Sequence, residues 1–230
     1  MAPWPGDERE KPPSPLLHRR WVPILSKRHG SVTPPLLAPD LDGMTSPRGP
    51  WALARWTIPV SFMTVLLLDG AIAVSHLGFP ALGLLDEPAH AATAILVLAA
   101  LKPGHPLQWL IAFFVGAVGI DLDHVPLLFG SDAFSSGTGR PYTHSLLTVA
   151  LALGLAAATP RGRSVVLAFA LGLVTHLSRD LATGGGVALL WPFTPHRLLV
   201  PYVAWVGSLS LVACWAYALG PISRLRSTLR

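Results

Sequence analysis

The chain has 230 residues, a mean hydropathy of +0.52 and only 13% charged residues, which excludes an ordinary soluble domain of this size. A net charge of +5 and a pI near 10.0 would suit nucleic acid, but the basic residues sit in the tails and in short loops between apolar runs, so no nucleic-acid partner is expected. The single cysteine, Cys214, excludes an intrachain disulfide and a thiolate cluster, so any metal must take nitrogen and oxygen ligands.

Residues 1–50 hold 11 of the 23 prolines with scattered charge and no sustained period, which predicts a disordered, partly extended tail. His18 and His29 lie in it beside basic residues and carry no assigned chemistry. Met44 is a candidate start, because Met44–Trp56 would make a short basic leader. Residues 51–222 then read as one transmembrane helical domain.

Six apolar segments follow, at about 57–78, 88–102, 107–121, 143–159, 164–182 and 199–219. The first, with Arg48 and Arg55 before it and Ala71-Ile72-Ala73 within it, could serve as a cleaved signal; its length favours an uncleaved helix. Asp69 and His76 lie seven apart on it, hence on one face, and suggest a packing contact or support for a site elsewhere. Lys102-Pro103-Gly104-His105-Pro106 and Thr159-Pro160-Arg161-Gly162-Arg163 are tight turns built from helix breakers. Trp51, Trp56, Trp109, Trp191 and Trp205 fall near segment ends, as interfacial anchors would. The expected fold is all-α: a polytopic membrane bundle of about six helices, preceded by the Pro-rich tail.

Orientation follows from charge. With both termini in the cytoplasm, the inside segments hold 14 of the 17 Lys and Arg, leaving Arg140, Arg179 and Arg197 outside. This predicts a multi-pass membrane protein with both termini cytoplasmic.

On that topology the acids and histidines gather at one face. His90, Asp121, Asp123, His124, His144, His176 and Asp180 all fall on the outer side, from four helices. His176 and Asp180, at i and i+4, share a helix face and can hold one ion. By itself that pair is equally a hydrogen-bonded or capped helix end, and the other five residues tip the balance. Asp121 and His124, three apart, share a face; Asp121 and Asp123, two apart, would diverge on a regular helix but could converge at its end. The expected metal ligands are His90, Asp121, His124, His144, His176 and Asp180, with Asp123 as a further ligand or catalytic base. The donor set suits a divalent ion, Zn²⁺ first, with Mn²⁺ or Fe²⁺ as alternatives. Arg140 and Arg179 are candidates to hold an anionic substrate group, although snorkelling is the commoner role for such arginines. Gly184-Gly185-Gly186 marks either a flexible turn or a close backbone approach to a ligand. His105 and His196 read as wet side chains near the interface.

At these residues the chain resembles the membrane-bound metal-dependent hydrolase family, whose bacterial members include a LexA-regulated inner-membrane protein. The matching pieces are Gly119-Ile120-Asp121-Leu122-Asp123-His124, Tyr142-Thr143-His144-Ser145-Leu146 and Gly172-Leu173-Val174-Thr175-His176-Leu177-Ser178-Arg179-Asp180, the last running on to Leu189-Leu190-Trp191-Pro192. With His90 they cover about 86–202. The resemblance implies a helical membrane hydrolase, and it extends more distantly to zinc-dependent phospholipase C. The family commonly has His-Arg-Gly where this chain has Gly139-Arg140-Pro141, so one histidine is missing here; the first helix and the tail also precede the usual start. The expected activity is hydrolysis at the outer face of a phosphoester or lipid-linked small molecule, with membrane lipid as the surrounding partner. The alternative is a non-catalytic metal-binding or transport protein, for which charged groups at mid-membrane would be expected; only Asp69 points that way.

Overall fold

Runs of Ala and Leu broken by Gly and Pro build the fold, which a computed structural model describes for residues 56–78, 81–101, 104–131, 135 and 140–228. Among the described residues seven α-helices appear, with no strand beyond one isolated antiparallel bridge between Val187 and Leu198. They are α1 (Thr57–Val74), α2 (Gly83–Ala100), α3 (Leu107–Ala117), α4 (Val125–Leu128), α5 (Leu146–Ala158), α6 (Arg163–Asp180) and α7 (Tyr202–Thr228). The tail, Met44, Trp51, Lys102 and Gly139 lie outside the described residues.

The helix ends differ from those read from the sequence, each for a local reason. α1 stops at Val74, where Ser75 turns extended and its hydroxyl donates to the Ile72 carbonyl. His76 is therefore off the helix and exposed, so it shares no face with Asp69. α2 begins at Gly83, well before Pro88, and adds Asp86 and Glu87 to the helix that carries His90. α3 ends at Ala117 and gives way to a 3-10 turn over Gly119–His124. The break lies at Val118 (φ −132°, ψ −46°); farther on, the ring of Pro126 would clash with the Leu122 carbonyl in a continuous α-helix, and it sits instead in the first turn of α4, where a missing N–H is harmless.

Among the described residues two helices, α1 and α2, are long and apolar enough to cross a membrane, and α3 with Gly119–Leu127 passes as a third, bent by 46°. Six full crossings go beyond that: α5, at 13 residues, reaches only about 20 Å, short of a ~30 Å hydrocarbon core.

Three apolar clusters hold the helices together. Ile58, Val65, Leu96, Trp205 and Leu209 join α1, α2 and α7. Trp205 is buried there, not an interfacial anchor. Ala94, Phe113, Ala117 and Ala168 join α2, α3 and α6, and Val149, Ala152, Leu173 and Leu177 join α5 to α6. The closest approach is between α3 and α6. A Cβ on Gly116 would strike the Phe169 carbonyl, and one on Gly172 would strike the Phe113 carbonyl. Small residues let two backbones touch in this way, which is how helices associate where lipid removes the hydrophobic drive.

The 181–201 loop folds back along the ends of α5 and α6. Gly184 and Gly186 have φ of 62° and 76°, and a Cβ on Gly186 would meet the Leu198 carbonyl at 2.5 Å, so Gly186 serves the turn and the chain's own close approach. The Leu146 N–H donates to the Leu189 carbonyl at 2.9 Å, which fastens this loop to the start of α5.

Candidate metal centre

The C-terminal ends of α3 and α6 and the N-terminal ends of α2 and α5 meet at one end of the bundle. His90 comes from α2, Asp121, Asp123 and His124 from the 3-10 turn, His144 from the turn just before α5, and His176 with Asp180 from the last turn of α6. All seven are brought together. In a 3-10 turn residues three apart eclipse, and His124 Nδ1 accordingly lies 3.3 Å from Asp121 Oδ1.

Asp121 is the hub. Its Oδ1 lies 3.0 Å from His144 Nε2 and 3.4 Å from His176 Nε2, and its Oδ2 lies 3.9 Å from His90 Nε2. Asp180 faces His176 Nε2 at 3.2 Å and His90 Nε2 at 3.4 Å. The rings of His90 and His176 stack with centroids 3.9 Å apart. Asp123 stands at the margin: Oδ1 is 2.9 Å from His124 Nδ1, and Oδ2 is 3.4 Å from His144 Nδ1 and accepts a hydrogen bond from the Thr143 hydroxyl.

His176 decides what this arrangement needs. Its Nδ1 lies 3.0 Å from the Ala117 carbonyl. A carbonyl only accepts, so Nδ1 carries the hydrogen and the neutral ring presents a lone pair at Nε2. That lone pair faces Asp121, Asp180 and, at 3.2 Å, His144 Nε2. Acceptors packed against acceptors in a buried site require a cation or a proton between them. Both ring nitrogens of His90 and Oδ1 of Asp180 are also buried without a hydrogen-bond partner. Three groups of donors lie within 4.8 Å of one another: Asp121, Asp123, His124 and His144; His90, His176 and Asp180; and Asp86, His90 and Asp121. The residues fit a divalent cation.

Two acids of the site were not singled out in the sequence. Asp86 Oδ2 lies 3.9 Å from His90 Nε2, and Glu87, partly buried, follows it on the same helix. Their signal was present: Asp86 and His90 repeat the i, i+4 spacing of His176 and Asp180, in reverse order.

The two arginines part company. Arg140 donates to Asp180 Oδ2 at 2.5 Å and also lines a cavity of about 110 Å³ walled by Tyr142 and Trp191, whose rings stack at 4.3 Å. Arg179 is fully buried. It donates to Asp86 at 2.5 Å and to Asp69 at 2.6 Å, and Asp69 accepts in addition from the Tyr202 hydroxyl at 2.9 Å. This placement departs from the expected contact with a substrate anion, because both terminal nitrogens, Nη1 and Nη2, already face carboxylates. Asp69 thus supports the site through Arg179, not through His76.

The profile of the YdjM inner membrane protein family matches residues 85–228, which takes in every residue of the centre. The chain belongs to this family. No curated protein and no solved structure matches it. The family places the chain in the inner membrane, in accord with its apolar helices.

Proposed function

We propose that this protein is a metal-dependent hydrolase acting at the outer face of the inner membrane on a phosphoester or lipid-linked substrate. The observation that carries the metal reading is His176, whose bond to the Ala117 carbonyl leaves a lone pair aimed at two carboxylates. His90, Asp121, His124, His144, His176 and Asp180 would hold the ion, with Asp86 beside them. Nitrogen and carboxylate donors without thiolate suit Zn²⁺ first and Mn²⁺ or Fe²⁺ next. Such an ion, when bound, supplies Lewis acidity and an acidified water at neutral pH.

The chain's own residues do the rest. Asp123 lies beside these ligands with Thr143 and His144 facing one of its oxygens, so it is the group to accept a proton from the attacking water. Arg140 holds Asp180 in place and borders the cavity next to His144, where it would face an anionic substrate group. Burial of His90, His144, His176 and Asp180 keeps bulk water from competing for the donors. In the orientation this reading requires, both termini are cytoplasmic and the helices make six passes, the shorter ones packed within the bundle.

The test pairs metal analysis with turnover on one sample. Asp123→Asn is expected to keep bound metal while hydrolysis of the best phosphoester falls by about 10²–10⁴. A metal-loaded protein that leaves every phosphoester and lipid ester intact would overturn the hydrolase assignment. Unchanged metal content in His176→Ala would overturn the centre itself.

A further inference from the structure

A second cavity, about 320 Å³, opens sideways from the centre between α3, α5 and α6. Val115, Ile120, Phe169 and Leu173 form its walls, and Asp123, Thr143 and Thr148 are the polar residues of its lining. The bend after α3 creates it. Gly119 has no side chain to fill the corner, and a Cβ there would meet only Val115, at 3.6 Å. The rim belongs to the bent pair that qualifies as a membrane span, and its neighbours Ile111, Val115 and Leu122 are exposed apolar side chains. In an inner-membrane protein such a surface faces hydrocarbon.

Two cavities therefore reach the centre, of opposite character. One has Arg140 and His144 in its wall. The other is lined mostly by apolar side chains, with Asp123, Thr143 and Thr148 as its polar residues. A water-soluble phosphoester has no use for the second. An amphipathic molecule lying in the bilayer fits both, with its charged group near Arg140 and a tail running outward to the lipid.

We propose that the groove between α3, α5 and α6 holds one acyl chain of a membrane phospholipid, which reaches the metal centre laterally from the bilayer. This rests on the hydrolase reading for its chemistry, but the binding it requires is measurable without turnover. Retention, not partition, is the readout, because a tail gains little by leaving one hydrocarbon phase for another. Only a lipid engaged at the cluster should survive delipidation.

The experiment uses the full chain, loaded with zinc, in detergent with long-chain phosphatidylglycerol, and native mass spectrometry to count retained lipid. One lipid per chain is expected. Thr148→Phe, which projects into the groove from α5, should lower retention about tenfold. Leu151→Phe, on the exposed side of α5, should leave it unchanged. Gly119→Leu fills the same groove from the opposite wall and should act like Thr148→Phe, with zinc content and thermal midpoint reporting that each variant is folded. Equal retention in the wild type and a folded groove variant overturns the proposal. So does a groove variant that abolishes a dimer while keeping its lipid, since the groove is then an interface between copies. Retained lipid that is never hydrolysed supports the groove and counts against the hydrolase reading. Hydrolysis of a soluble phosphoester without lipid retention does the reverse.

Discussion

Arg179 carries a full charge into the protein interior and meets two carboxylates from different helices, Asp69 and Asp86. Removing one member of such a set leaves the others uncompensated. Arg179→Met is expected to cost about 3–5 kcal/mol, read as a lowered thermal midpoint in detergent. The triple variant Arg179→Met, Asp69→Asn, Asp86→Asn should recover most of that loss, and failure to recover would show that the arginine acts by packing alone. Asp121 predicts a different outcome. It faces four imidazoles, so Asp121→Asn should weaken metal binding about hundredfold or more. His105, stacked on Trp109 well away from the centre, is the control whose removal should leave metal content unchanged. The seven His and Asp residues of the centre could be read from the sequence because charge is rare in apolar segments and each lay at a segment end. Asp86 and Glu87 were hidden by Pro88, which looks like a helix start and in fact sits inside α2. The buried pairing of Arg179 was hidden because its partners lie 93 and 110 residues away.

At the scale of the element, α3 and α6 set the geometry of the centre. Their contact brings the Ala117 carbonyl to His176, and that bond orients the ring. Gly116 and Gly172 make the contact possible, since a Cβ on either meets backbone atoms. Gly172→Ala should therefore push the helices apart, cost about 1–3 kcal/mol and lower metal occupancy together with stability. Gly154→Ala on α5, where nothing lies within 4 Å, should leave metal occupancy unchanged and stability equal or slightly higher. Loss of stability with full metal occupancy in Gly172→Ala would separate the helix contact from the ligand geometry. The core of each helix followed from its apolar run, and the boundaries did not. α3 ends at Ala117, short of the expected stop at 121, and Pro126 bears only on the turn beyond it, through the carbonyl of residue 122. That 3-10 turn is what lets Asp121 and His124 eclipse, a register that α-helical spacing only approximates.

For the whole molecule, the gathering of ionisable groups at one end of the bundle was legible in the sequence because the helices alternate in direction. The number of full crossings was not, since hydropathy alone does not distinguish a spanning helix from a short one buried by its neighbours. Orientation is open to direct measurement. In a Cys214→Ser background, Thr194→Cys should react with a membrane-impermeant maleimide applied from outside. Arg161→Cys should react only after permeabilisation, and the reverse pattern would place the centre on the cytoplasmic face. The pairing of Arg179 also bears on how the chain is made. Asp69 and Asp86 leave the ribosome with α1 and α2, whereas their countercharge follows 110 and 93 residues later. At roughly 5–20 residues per second, the nascent hairpin waits on the order of 5–20 seconds with two unneutralised acids at the bilayer. Completion of α6 is thus the step that supplies the countercharge to the first hairpin, and chains truncated before Arg179 should be cleared by quality-control proteases.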